Sequence, residues 1–145
     1  VQSKYLIEAG QEVVDYDLVR EHILAAHRRF KIVNVGYDKW NAAQLVAKLQ
    51  ADGVPMAEFI QGPRSYHPAM QELERAYTSG MLSHGNDPVL NWCASNLVAR
   101  RDVNMNTAPD KRRAADKIDD FVALLMGIGS SLAAEPEKKF QSFFV

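Results

Sequence analysis

The segment from Lys31 to Gly62 constrains the fold more than any other. KIVNVGY, residues 31–37, is dense in β-branched residues and reads as a buried strand. NAAQLVAKLQADG, residues 41–53, places Leu45, Val46 and Leu49 on one helical face, and Gly53 stands where a helix C-terminus favours glycine. VPMAEFIQG, residues 54–62, reads as a second strand. Two strands joined by a helical crossover pair in parallel, because a tight turn cannot reverse the chain between them. The chain is therefore expected to be α/β.

The flanking elements follow from their punctuation. EVV, residues 12–14, reads as a short strand-like piece, and Asp15 or Asp17 as the cap of a helix over 16–30 with Leu18, Ile23, Ala26 and Phe30 near one face. A helix is expected over 65–79, with Pro68 in its first turn and Gly80 ending it. Asn86 or Asp87 caps the next, DPVLNWCASNLVAR, where Pro88 suits the first turn and Cys93 faces the core. VARRDVNMNTAPDKRR has two charged arms around a polar centre, the pattern of a hairpin or flexible loop. AADKIDDFVALLMGIGSSLAA is a strongly apolar helix, followed by a mixed tail over 134–145. The 145 residues suit one core, expected over 1–133. One cysteine forms no internal disulfide, no apolar run is long enough to span a membrane, and a reducing cytoplasm is the expected compartment.

Three groups of residues invite chemistry. Asp38 stands at the end of the first strand, where ligands of open α/β sheets gather, and just before a helix that an Asp would cap. Metal ligand and helix cap are both open readings. Asp119 and Asp120 begin the most apolar helix. There they favour the helix dipole, or converge with Asp38 on Mg²⁺ or Mn²⁺, since opposed carboxylates repel unless a cation lies between them. Arg100, Arg101, Lys111, Arg112, Arg113 and Lys117 concentrate positive charge in a chain of net charge −1, either as a solvated hairpin or as a phosphate-contacting ridge. His22, His27, His67 and His84 lack metal-ligand spacing and are expected at the surface or half-buried.

YDKWNA (37–42), the Gly-Val-Pro entry to the second strand (53–55), the run from Gln61 to Asn106, and PDKRRAADKIDDFVALLMG (109–127) together resemble the C-terminal nuclease part of phage terminase large subunits, in the branch of long-tailed, lambda-like phages. The resemblance covers about residues 4 to 130. It implies an RNase H-like mixed sheet flanked by helices and a two-metal endonuclease that cuts concatemeric double-stranded DNA during packaging. It implies Asp38 and Asp119 as catalytic metal ligands with Asp120 beside them, Mg²⁺ or Mn²⁺ as cofactor, and the basic stretch from Arg100 to Lys117 as the DNA contact. The family's partners are a small terminase subunit and the procapsid portal, with no membrane. The family's first catalytic acid and its phosphate-loop ATPase lie upstream of the matched part. This chain is thus expected to lack the first strands, to expose a sheet edge that favours self-association, and to be either a nuclease module short of one ligand or an inactive prophage remnant that docks on DNA or procapsid.

Overall fold

A computed structural model of the protein describes residues 5–10, 12–40 and 42–133. The elements run α1 (Tyr16–Arg29), β1 (Val35–Tyr37), α2 (Ala43–Ala51), β2 (Met56–Glu58), α3 (Pro63–Thr78), α4 (Pro88–Ser95), β3 (Ala99–Arg101), β4 (Thr107–Pro109) and α5 (Asp119–Ala133). The α/β expectation holds, with the strands in two separate pairs. β1 and β2 are parallel, with Gly36 opposite Ala57, and α2 is the crossover between them. β3 and β4 form an antiparallel hairpin. The mixed tail expected over 134–145 lies outside the described residues.

Strand length is set by the partner. The apolar run from Lys31 is extended only from Val35, because β2 offers backbone groups to no more of it: Val35 N–H donates to the Pro55 carbonyl at 2.8 Å, and Phe59 N–H to the Tyr37 carbonyl at 2.8 Å. Before Val35 the chain turns, with Ile32 N–H bonded to the Phe30 carbonyl. The expected strand at Glu12–Val14 does not form. It pairs with no strand among the described residues, and Val13 and Val14 are exposed beside a loop closed by Asp15 N–H on the Ala9 carbonyl.

Helix starts obey their caps. Asp15 Oδ1 accepts from the N–H groups of Asp17 and Leu18, and Asp87 Oδ1 from those of Val89 and Leu90, each satisfying donors that the helix leaves open. α3 begins at Pro63, two residues before the expected start. Pro63 takes the first-turn role, and Pro68 lies in the helix interior, in the second turn, where its missing N–H forfeits one helix bond. α4 stops at Ser95, because the chain from Leu97 is drawn into the hairpin.

The core comprises Phe59, Tyr66, Ala69, Ala108, Ile118, Val122 and Leu125, drawn from β2, α3, β4 and the start of α5. α3 contacts α5 and β4, and β1 lies against α5. The α3–α5 approach is close. A Cβ at Gly129 would come within 2.6 Å of the Phe59 ring and 3.6 Å of the Ala69 Cβ. α1 contributes no buried residue, and Phe30, expected inward, is exposed. Charge ties α1 to α2 instead: Arg20 makes two bonds of 2.6 Å to the Asp52 carboxylate, and Lys48 Nζ lies 2.6 Å from Asp17 Oδ1.

Two outcomes follow from this packing. Gly129→Ala should lower stability by about 1–3 kcal/mol, because the clash with a ring held in the core outweighs the helix propensity gained, while Gly127→Ala, with open space around it, should raise stability by up to about 1 kcal/mol; denaturant titration of both variants decides. Hydrogen bonds from Lys48 and Arg20 hold the Asp17 and Asp52 carboxyls below their ordinary range. Depressed carboxylates stabilise the fold above the unfolded value, and this contribution disappears as the pH falls through the folded one. α1 amides should therefore lose hydrogen-exchange protection as the solution is acidified below about pH 4, and Arg20→Gln together with Lys48→Gln should flatten that dependence.

Candidate metal and nucleic-acid site

Asp38 leaves the end of β1 half-buried. Its Oδ1 accepts from Trp40 N–H at 3.1 Å, a local turn two residues long. It caps no helix, since α2 starts from Ala42 with no side-chain cap. The capping reading of Asp38 therefore gives way to a carboxylate that turns the chain and otherwise stands without an ion pair among the described residues. Lys39 is engaged with Glu58 at 3.4 Å.

Asp119 and Asp120 open the first turn of α5, both exposed, where negative charge meets the positive end of the helix. Lys111 Nζ approaches Asp119 Oδ1 at 3.5 Å, a long pair between exposed side chains. Tyr66 lies within electrostatic reach of Asp38. It packs against Phe59 in the core at 5.4 Å between ring centroids, and burial, followed by the negative charge of Asp38, pushes its hydroxyl up to about 12. It is therefore a phenol, able to donate, at any working pH. Its buried oxygen has no hydrogen-bond partner.

Carboxylate oxygens on β1 and α5 suit hard divalent cations. Among the described residues, however, no group of three His, Cys, Asp or Glu side chains is placed to hold a metal. Asp38, Asp119 and Asp120 therefore do not form such a group. The histidines stand apart from it: His22 and His84 are exposed, His27 is half-buried, and His67 Nδ1 accepts from Thr107 N–H at 3.1 Å, pinning the hairpin to α3.

The hairpin is ordered rather than loose. Asp102 Oδ1 accepts from the N–H groups of Asn104 and Asn106, and its Oδ2 from the Asn106 side chain, whose hydrogen bond holds the Asp102 carboxyl below its usual range. The basic residues do not share one face. Alternation along β3 sends Arg100 and Arg101 to opposite sides. Arg100, Lys111 and Arg112 line a cleft of about 280 Å³ with Gln61, Gly62 and Tyr66, whereas Arg101 borders a larger, mostly apolar groove of about 640 Å³ between α3, α4 and α5. Arg113 and Lys117 are exposed and line neither.

Sequence reasoning did not anticipate Tyr66 or Asp110. Asp110 is the buried charged residue of the core region, 5% exposed, and its Oδ1 accepts from Arg112 N–H to start the turn that carries Lys111 and Arg112. The signal for the first was the Gly-Pro before Tyr66, which starts α3 and puts Tyr66 in its first turn.

Residues 7–135 match the family described as terminase large subunit, endonuclease domain. The large subunit of the terminase of Enterobacteria phage HK97 is 34% identical over 120 residues, covering 81% of this chain and 24% of that protein. Protein YmfN of Escherichia coli strain K12 is 30% identical over 126 residues, covering 86% and 28%. The crystal structure of the HK97 bacteriophage large terminase is similar with a TM-score of 0.73 at 34% identity, over 81% of this chain and 25% of that one. The chain spans about a quarter of the length of the relatives it matches. Sequence and fold agree over most of its residues, and the chain belongs to the terminase large subunit endonuclease-domain family.

Proposed function

We propose that this chain is the DNA-cleaving module of a phage packaging terminase, acting on concatemeric double-stranded DNA with Mg²⁺ or Mn²⁺. The observation that carries this reading is the match of residues 7–135 to the terminase large subunit endonuclease domain, supported by the packing of β1, which Asp38 follows without an ion pair among the described residues, on Met126 and Ser130 of α5, the helix that begins with Asp119 and Asp120. Asp38 and Asp119 would hold the metal, with Asp120 flanking. When bound, divalent ions supply an activated water and neutralise charge at the leaving oxygen. Arg100, Lys111 and Arg112, which line one cleft, bind phosphates without reading bases, and Arg101, Arg113 and Lys117 add positive charge outside that cleft. Lys111, already near Asp119, offsets part of the carboxylate repulsion before DNA arrives. The proposed partners of the whole protein are a small terminase subunit and the procapsid portal.

A second reading, a docking module that binds DNA or procapsid without cutting, is favoured by the lack of a three-ligand group among the described residues. Plasmid nicking in Mn²⁺ separates the two. Under the nuclease reading, Asp38→Asn and Asp119→Asn each reduce nicking by about 100-fold or more with DNA affinity retained, and Asp120→Asn has a smaller effect. DNA binding with no nicking above the Asp38→Asn background would establish the docking reading instead.

A further inference from the structure

The groove between α3, α4 and α5 is apolar and open. Met70, Leu73, Leu82, Leu90, Phe121 and Leu124 line it, and each is only half-buried. Tyr77, in the same lining, is exposed. At about 640 Å³ it has the volume of a site that encloses a drug-sized ligand. Apolar side chains from four segments that face one opening mark a surface with an occupant. AEPEKKFQSFFV, residues 134–145, lies outside the described residues and follows α5 directly in the sequence. It holds three of the chain's six phenylalanines, Phe140, Phe143 and Phe144. Their i, i+3, i+4 spacing puts them on one face of a helix, the pattern of a segment that seats in an apolar groove. Pro136 opposes a continuation of α5, because proline disfavours helix in the residue before it. The reach is sufficient. Leu124 stands nine residues before Ala133, about 14 Å of helix. The six residues 134–139 span about 20 Å when extended, so Phe140 can return to the level of Leu124. Charge is matched too: the groove carries Glu74 and Arg101, and the tail brings Lys138 and Lys139, and Glu135 and Glu137. A tethered segment also meets the groove at a high effective concentration, which favours it over the same segment of a second copy.

We propose that the groove between α3, α4 and α5 is the docking seat of this chain's own tail, with Phe140, Phe143 and Phe144 packed among its apolar lining. Seated there, the tail also backs the hairpin, because Thr107 and its hydrogen-bond partner His67 belong to the same lining. The docking is independent of whether the acids hold a metal.

Amide hydrogen exchange on the full chain, read by NMR, tests the docking. Amides of residues 140–144 should exchange roughly tenfold or more slowly than in a free peptide of the same sequence, independently of protein concentration. Ala94→Arg places a long side chain in the groove from an exposed position on α4. Phe143→Ser together with Phe144→Ser removes two anchors from the tail. Each variant should return those amides to the free-peptide rate with an unchanged circular dichroism spectrum, and the tail variant should also shift the methyl resonances of Leu90 and Leu124. Tail amides that exchange at the free-peptide rate in the wild type, or that stay protected in a folded Ala94→Arg chain, overturn the seat. Protection that rises with concentration as a dimer forms assigns the groove to a second copy's tail, and overturns docking within one chain.

Discussion

The close approach of α3 to α5 at Ala69 and Gly129 positions the rest of the molecule. Small side chains at the crossing let the Phe59 ring lie over Gly129, and Phe59 brings β2 into the same core. Because β2 carries β1 through the parallel pairing, β1, which Asp38 follows, is set against Met126 and Ser130 of α5. On the other side α3 holds β4, through the core at Ala108 and through the His67 bond to Thr107. Acids and basic hairpin are therefore placed by one seam, though neither group lies in it. Burial at that crossing is worth more than any single ion pair in the molecule, since the pairs between α1 and α2 join solvated groups.

Electrostatics arranges the site in a mixed pattern. The carboxylates of Asp38 and Asp119 belong to different elements, and the hairpin brings Lys111 to the second of them. Asp110 sits below, buried, ordering the turn that presents Lys111 and Arg112 through its bond to the Arg112 N–H. Positive rim and negative acids thus alternate over a short stretch of surface. Under the proposed function, such a surface would suit a polyanion that brings cations with it.

Much of this was legible in the sequence. Asp15, Asp87, Pro88 and Gly53 marked helix ends because capping is local chemistry, set by a few neighbouring residues. The strand–helix–strand unit was legible for the same reason. Strand lengths were not, because Ile32–Asn34 and Glu12–Val14 carry strand-like residues but pair with no strand among the described residues; pairing, not propensity, fixes where a strand stops. At the site, the acids could be named from their places along the chain. The division of Arg100 from Arg101 between two grooves, and the unbonded hydroxyl of Tyr66, depend on three elements meeting and leave no local signature.

The role of α3 has a genetic consequence. It supplies none of the proposed catalytic acids and none of the six clustered cations, yet it is the shared foundation of both. Random mutagenesis scored by loss of function should therefore enrich alleles along its inner face, at Ala69 and Tyr66, alongside those at the acids. Such alleles would mimic defects in cutting and in DNA retention at once, and second-site suppressors would be sought across the seam on α5 rather than near the chemistry.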